Sequence, residues 1–198
     1  MDARKLIDFL RVMERLKDTP RHCWTTDGRR ESVAEHSWRV ALMAMLMTDE
    51  FPELDIDRVI RMCLVHDIGE AVTGDIPTFV KTNSDRVVEG HEVDALIGGL
   101  PEPWPGWLGD LFDEMEALQT PEAKLYKALD RMEAIQSHNE SAVETWLPLE
   151  YTLNLTYGER EAAFSPYLTA LRAEMRRDTE AMIEDARARG VAPEGDKG

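Results

Sequence analysis

Apolar residues recur every three or four positions along almost the whole chain. This is the spacing that places side chains on one face of an α-helix. The first such stripe comprises Leu6, Phe9, Leu10, Met13 and Leu16. No stretch shows a convincing alternation of apolar and polar residues, which is typical of a half-buried β-strand. The pattern therefore predicts an all-α fold, a compact bundle of six or seven main helices.

Residues that favour helix starts support this interpretation. Ser32-Val33-Ala34-Glu35 has the sequence of a capping box, so the second helix should begin near Val33. Thr120-Pro121 and Ser165-Pro166 each place a hydroxyl side chain before a proline, a residue favoured at the first helical position. The other predicted elements are helices over 55–70 and 84–99, a loop over Pro101–Trp107 and a last helix that runs to Gly190.

The composition limits the possible partners. The 198 residues predict one domain over residues 1–190 and a polar tail over residues 191–198. No apolar run approaches the roughly 20 residues of a membrane helix, so no membrane partner is expected. The net charge of −16 disfavours nucleic-acid polymers, and a small anionic substrate would need a local cation or a metal. Two cysteines, Cys23 and Cys63, form no disulfide framework and favour a cytoplasmic location.

Candidate metal ligands lie on the inward faces of two predicted helices. His36 shares the apolar stripe of the second helix, and His66 and Asp67 lie on or beside the inward face of the third. A buried carboxylate is costly unless a cation or a metal pairs with it. The three residues could bind one ion, and imidazole with carboxylate suits Fe, Mn, Co, Zn or Mg. The alternatives are that the histidines are hydrogen-bonded core residues and that Asp67 caps a neighbouring helix.

Three further acids extend this group. Glu70 lies one helical turn after His66, and Asp75 follows a glycine that permits a sharp turn. Burial in a core explains neither acid, which indicates a functional site. Asp130 follows an apolar position in a later helix and is a candidate fourth ligand. Most acids in such a position, however, are exposed partners of a neighbouring arginine.

The order of these residues resembles the ligand series of the HD-domain metal-dependent phosphohydrolases: an early His36, then His66-Asp67, then a late Asp130. The segments that resemble the 5′-deoxynucleotidase branch are Glu31–Ser37, His66–Pro77 and Pro121–Ala134. The resemblance implies a helical HD-domain fold. It also implies that the four residues bind one divalent transition metal ion, such as Co, Mn, Fe or Zn.

The same resemblance implies a reaction, the hydrolysis of 2′-deoxyribonucleoside 5′-monophosphates. Glu70 and Asp75 would serve it, since one carboxylate can activate a water and another acid can protonate the leaving 5′-oxygen. Glu70 is favoured for the water and Asp75 for the attacking or leaving oxygen, although the two roles could be exchanged. The resemblance also favours a homodimer.

Three residues are candidates for binding this substrate. Arg21 and Trp24 resemble an Arg/Trp pair at the same place in the family. In that pair the arginine binds the phosphate and the tryptophan packs on the sugar, against C2′. Cys23 departs from close relatives, some of which have Arg and Trp adjacent and others Gly before the Trp. Lys81 follows the Gly-Asp turn and could add positive charge near the phosphate. The alternatives are that Arg21 and Lys81 are solvated and that Trp24 is a core residue.

The sequence leaves other functions open. HD proteins also hydrolyse nucleoside triphosphates and phosphodiesters, and a few are di-iron oxygenases, which need more ligands than this chain offers. A non-catalytic nucleotide-binding protein is a further alternative, although intact Glu70 and Asp75 argue against it. His91 has acidic neighbours that could suggest a second metal, but a histidine on a polar helix is usually exposed.

Overall fold

The computed structural model describes residues 2–191, most of which lie in α-helices. The elements in chain order are α1 (Ala3–Met13), β1 (Pro20–Trp24), β2 (Arg30–Ser32), α2 (Val33–Leu46), α3 (Ile56–Val65), α4 (Glu70–Thr73), α5 (Asn83–Gly98), α6 (Trp104–Ala117), α7 (Pro121–Glu140), α8 (Glu150–Thr156), α9 (Glu159–Ala162) and α10 (Pro166–Ala188), with 3₁₀ turns at Glu14–Lys17 and Val143–Thr145. The predicted all-α class is confirmed, with one small two-stranded sheet in the described chain. No helix within residues 2–191 is long and apolar enough to cross a membrane. The predicted polar tail, apart from Val191, lies outside the described residues.

Side-chain caps fix the starts of three helices where the sequence predicts them. Ser32 Oγ accepts the Glu35 N–H, and the Glu35 carboxylate accepts the Ser32 N–H, so the capping box is complete. Thr120 Oγ1 accepts the Ala123 N–H at 3.1 Å and begins α7. Ser165 caps α10 in the same way.

A two-stranded hairpin of β1 and β2 follows α1, and the sequence pattern did not predict it. The Thr25 N–H donates to the Arg29 carbonyl at 2.8 Å, and Gly28 closes the turn with φ of +80°. Glycine adopts this left-handed conformation without a steric cost. Asp27-Gly28 was the available signal for a hairpin. The strands of five and three residues are too short to show a clear alternation.

Two predicted element boundaries were wrong. The helix predicted over 55–70 ends at Val65, and the chain turns before α4 begins. Within the loop predicted over 101–107, α6 already begins at Trp104. Pro105 lies in the first turn of α6, where the N–H that proline lacks needs no helical acceptor.

The contacts divide the described chain into two compact units. The first unit holds residues 2–22 and 31–127, and the second unit holds residues 23–30 and 128–191. Helix α7 contributes residues to both units. The single domain over residues 1–190 therefore stays a prediction.

In the first unit, α2 packs against α3. Their fully buried apolar residues are Val33, Val40, Ala44, Val59, Met62 and Cys63. His36 shares this buried face of α2, and His66 is the residue directly after α3. The packing of the two helices therefore positions both histidines.

In the second unit, a buried arginine joins α10 to α8. Arg172 is almost fully buried and donates hydrogen bonds to the carbonyls of Asn154 and Tyr157. These carbonyls lie at the C-terminal end of α8, where backbone oxygens lack partners within the helix. Arg172 therefore supplies the hydrogen bonds that the end of α8 needs.

An ion pair braces α3 against α6 in the first unit. Arg58 donates to the Glu114 carboxylate, which also accepts a hydrogen bond from Thr120. Burial alone would raise the pKa of Glu114, but these hydrogen bonds outweigh burial and hold the pKa below its ordinary value. Folding therefore favours the charged form of Glu114.

The variant Glu114→Gln should destabilise the protein by about 1–2 kcal/mol at neutral pH, because hydrogen bonds to a charged group are weakened. Since folding lowers the pKa of Glu114, its contribution is present above the unfolded pKa and is lost as the pH falls through the folded value. The difference between the variant and the wild type should therefore shrink as the pH falls below about 4.

Urea unfolding at several pH values measures this difference. The matched control is Glu116→Gln, which changes an exposed acid on the same helix. A loss of stability that is equally large at acidic and neutral pH would contradict the role of the charge.

Candidate active site

Two histidine rings and one carboxylate meet in the first unit. His36 is fully buried on α2, and its Nε2 lies 3.2 Å from the Nε2 of His66. Asp67 Oδ2 lies 3.0 Å from His66 Nε2 and 3.8 Å from His36 Nε2. The three atoms are therefore close enough to share one partner.

The α-helical hydrogen-bond pattern is interrupted where this cluster begins, although His66 and Gly69 keep helical dihedral angles. The turn His66–Gly69 is closed by the Glu70 N–H, which donates to the Asp67 carbonyl at 3.0 Å. Gly69 lets the turn approach α5 closely, since a Cβ there would lie only 2.9 Å from Val93 Cγ2. In a continuous helix, the side chains of neighbouring residues diverge by about 100°. The sequence did not predict this turn. Within it, the side chains of the neighbouring residues His66 and Asp67 come within 3.0 Å of each other.

The spacing of the three atoms suits a divalent metal ion. With bonds of about 2.0–2.2 Å to nitrogen and oxygen, neighbouring ligands of one ion lie roughly 3.0–3.5 Å apart. Two of the three separations match that range, and the third, from His36 to Asp67, is slightly longer. Imidazole and carboxylate together form a common donor set for first-row transition metals. The cluster therefore fits a divalent metal.

A hydrogen bond to the backbone orients His66. Its Nδ1 lies 2.9 Å from the Cys63 carbonyl oxygen. Because a carbonyl oxygen only accepts, Nδ1 carries the proton in this contact. The Nε2 lone pair then remains available to a metal, which is the usual arrangement of a metal-binding histidine. The Tyr126 ring packs beside the His66 ring, with 5.5 Å between their centres.

Glu70 is a buried acid beside this cluster. Its Oε1 lies 3.9 Å from Lys81 Nζ, and its Oε2 has no hydrogen-bond partner among the described residues. Burial raises the pKa of Glu70 to about 10, and the carboxylates of Asp67, Asp75 and Glu89 add to the effect. Unless a cation other than Lys81 binds nearby, the Glu70 carboxyl group is therefore protonated at neutral pH. A carboxyl group with so perturbed a pKa is a candidate for proton transfer.

Asp75 and Arg21 lie near each other in the same unit. Gly74, with φ of +76°, turns the chain after α4, and the Asp75 carboxylate accepts the backbone N–H of His22. Burial raises the pKa of Asp75, and the positive charge of Arg21 opposes this effect. Arg21 also donates to Glu31 Oε2 at 2.8 Å, which holds its guanidinium in place.

Lys81 brings a second positive charge to the site. Its ammonium group pairs with Glu89 and lies 3.9 Å from Glu70 Oε1. Burial alone would lower the pKa of Lys81, but the hydrogen bond with Glu89 outweighs burial and raises the pKa. Sequence reasoning noted Glu89 only as an acidic neighbour of His91 and did not assign it to this site. The available signal was its position one helical turn before the buried Val93.

The first unit holds seven of the nine site residues that the sequence predicts, namely Arg21, His36, His66, Asp67, Glu70, Asp75 and Lys81. The other two belong to the second unit. Trp24 is half-buried, and the Arg30 guanidinium lies 5.6 Å from its ring centre. Asp130 is half-buried in α7, and the roles of Trp24 and Asp130 stay predictions. His91 is exposed and belongs to no metal-type cluster of the described residues.

Comparison with known proteins gives related hydrolases. A family model described as HD domain matches residues 13–172. The human 5′-deoxynucleotidase HDDC2 is 36% identical over 142 residues, which cover 70% of this chain and 69% of the human protein. The 5′-deoxynucleotidase hdd1 of Schizosaccharomyces pombe is 33% identical over 149 residues, 68% of this chain and 73% of the yeast protein.

A solved structure is similar over nearly the whole chain. It is a predicted metal-dependent phosphohydrolase from Magnetospirillum magnetotacticum MS-1, with 32% sequence identity and a TM-score of 0.75. The similarity covers 96% of this chain and 95% of that one. The similarity therefore spans residues of both units.

Mn²⁺ or Co²⁺ should raise the melting temperature of chelator-treated protein, because an ion that binds only the folded state stabilises it by mass action. At roughly 100 times the dissociation constant, the gain should be about 2.7 kcal/mol. His36→Ala should abolish most of this gain, whereas His91→Ala, which changes an exposed histidine, should retain it. Thermal unfolding with and without metal measures the shift. Equal shifts in the two variants would contradict the assigned ligands.

Proposed function

The chain belongs to the HD-domain family, and on that basis we propose that it is a 5′-deoxynucleotidase, which hydrolyses 2′-deoxyribonucleoside 5′-monophosphates to deoxyribonucleosides and phosphate. The observation that carries the proposal is the meeting of His36, His66 and Asp67 beside the buried acid Glu70. Relatives of similar length that carry the name 5′-deoxynucleotidase support the choice of substrate.

The family and the His/Asp cluster indicate a divalent metal, and we propose one transition metal ion such as Co²⁺, Mn²⁺, Fe²⁺ or Zn²⁺. His36, His66 and Asp67 would hold it, with Asp130 as the fourth ligand that the sequence predicts. When bound, the ion would supply positive charge to the phosphate and lower the pKa of a water. The hydrogen bond from His66 Nδ1 to the backbone supports this role, because it leaves Nε2 unprotonated.

Glu70 and Asp75 are the residues proposed to move protons. A divalent cation bound nearby would lower the pKa of Glu70, and the Oε2 atom of its carboxylate could then hold the attacking water and accept its proton. Asp75, whose pKa is raised by burial, can protonate the leaving 5′-oxygen. The opposite assignment gives the same balanced reaction. In both, water oxygen forms the new bond to phosphorus, the bond to the 5′-oxygen breaks, and the deoxyribonucleoside leaves with a proton.

Arg21 and Lys81 are the cations proposed to bind the phosphate. A chain with a net charge of −16 repels an anionic substrate unless local cations offset that charge. The planar guanidinium of Arg21 suits two phosphate oxygens, and the ammonium of Lys81 adds a point charge. Trp24 is proposed to pack on C2′ of the sugar, where an added hydroxyl would find no hydrogen-bond partner.

Two further expectations accompany the proposal. The protein is proposed to act as a homodimer on a deoxyribonucleoside monophosphate. It is also proposed to work in the cytoplasm, since neither Cys23 nor Cys63 forms a disulfide.

Replacing Glu70 with glutamine should lower kcat for dAMP by about 10²–10⁴-fold, because the amide cannot exchange the proton that general acid–base catalysis needs. The variant should stay folded, since a neutral amide fits a site where burial already favours a neutral carboxyl group. Phosphate release at saturating Co²⁺ or Mn²⁺ measures the effect. Asp94→Asn, which changes an exposed acid on α5, is the control and should keep wild-type activity. A Glu70→Gln enzyme within about threefold of the wild type would exclude the proposed role.

The wild-type kcat/KM should be higher for dAMP than for AMP, and Trp24→Ala should bring the two values closer together. Arg21→Met should raise KM for both substrates alike, because the phosphate is common to them. Steady-state phosphate release with both nucleotides measures these ratios. If the protein hydrolysed nucleoside triphosphates or cyclic nucleotides but not dAMP, its substrate would be a different phosphoester. Binding of dAMP without turnover at saturating metal would indicate a non-catalytic protein.

A further inference from the structure

Helix α2 is apolar on two opposite faces. Its inner face, with Val33, Val40 and Ala44, is fully buried in the first unit. The opposite face carries four large apolar residues at the spacing i, i+4, i+7 and i+8, namely Trp38, Leu42, Met45 and Leu46. Trp38 is 62% exposed, Met45 50% and Leu46 68%. A large apolar helix face is normally covered, so this outer face is a candidate surface for a partner.

A groove lies beside the C-terminal end of this outer face. It has a volume of about 320 Å³ and is lined by Met45, Thr48, Phe51, Pro52, Leu54, Asp55, Ile56, Asp57 and Ile60. Most of these lining residues are apolar, and Asp55 and Asp57 are the two acids among them. Leu64, 51% exposed and one turn beyond Ile60 on α3, extends the apolar surface. The outer face of α2 and the groove therefore form one continuous surface, here named the α2 face.

We propose that two copies of this chain pair through the α2 face about a twofold axis that passes near Leu42. The two α2 helices would then lie antiparallel, so Trp38 of one copy meets Met45 of the other. These positions are about 10 Å apart along the helix, at 1.5 Å per residue. The protruding indole ring of each copy therefore reaches the groove beside Met45 of the second copy. The inference locates the interface of the proposed homodimer and is independent of the hydrolytic reaction.

The surface complements a second copy of itself in shape and in charge. A twofold interface uses the same patch on both copies, so a protrusion and a groove must both belong to one surface. Trp38 is followed by Arg39, which is partly exposed and lies 3.8 Å from Glu31 Oε1 of its own copy. Its positive charge would also approach the Asp55 and Asp57 carboxylates at the groove of the other copy. Residues 40–48 carry no charge, although the whole chain has a net charge of −16. The α2 face therefore lets two acidic molecules approach with little repulsion.

The exposed area also matches a dimer. The side chains of Trp38, Met45, Leu46 and Leu64 together expose on the order of 400–500 Å² of apolar surface, on the scale of large apolar residues. A patch of this size equals the largest apolar patch of a typical monomeric protein, and such patches are often interaction sites. With the groove and the surrounding atoms, it approaches the roughly 800 Å² per copy that a stable interface buries. His36 lies on the inner face of the same helix, so pairing would also hold a candidate metal ligand in place.

Light scattering during size-exclusion chromatography tests the proposal with the full chain. The wild type should have twice the 22.6 kDa of one chain. Trp38→Glu and Met45→Glu should each raise the dimer dissociation constant by more than about 30-fold, as the loss of a central interface residue does. Val88→Glu, which changes a similarly exposed residue on α5, is the matched control and should stay dimeric. Circular dichroism checks that each variant is folded.

Cross-linking locates the axis without destabilising the fold. Leu42→Cys should form an intermolecular disulfide under mild oxidation, because the two copies of position 42 lie nearest the axis. Val88→Cys should not, and Cys23 and Cys63 are buried. A dimer that persists in folded Trp38→Glu and Met45→Glu and gives no Leu42→Cys cross-link would place the interface elsewhere. A monomeric wild type at tens of micromolar would overturn the dimer itself, while phosphate release would still test the hydrolase proposal.

Discussion

The site depends on placing the partly buried Asp67 carboxylate beside two imidazole rings at the edge of a helical core. A buried carboxylate is tolerated only with a nearby positive charge, and the neighbouring acids Glu70 and Asp75 increase that need. The packing of α2 on α3 holds His36 at the required distance from His66. The helix pair therefore has two consequences at once, because it forms the core of the first unit and it fixes the geometry of a cation site.

The cations near this cluster are already held in position by acids outside it. Glu31 accepts a hydrogen bond from Arg21, and Glu89 pairs with Lys81. A side chain that is fixed before a ligand arrives loses less conformational entropy when it binds. An acidic protein can in this way present ordered positive groups to a phosphate. The role of Glu70 fits the same arrangement, since its pKa falls when a cation binds nearby and rises again when the cation leaves.

The sequence predicted the parts of this arrangement that follow from helical periodicity and capping. Ser32 predicts where α2 begins. The helical period then places His36 on the same face as the buried residues Val33 and Val40. The break after α3 left no such signal, because the need for Gly69 comes from the approach of α5, which is distant in sequence. The pairing of Glu89 with Lys81 left no signal for the same reason, since only the fold brings the two residues together.

The departure at Cys23 has a structural counterpart in the second unit. Cys23 Sγ lies 3.7 Å from His138 Nε2, and that nitrogen lies 3.5 Å from Glu150 Oε1. The His138 carbonyl accepts the Trp146 indole N–H at 3.1 Å, which fixes the end of α7. A glycine at position 23 would make no side-chain contact with His138. The strand that carries Trp24 is therefore held to α7 through the neighbouring side chain of Cys23.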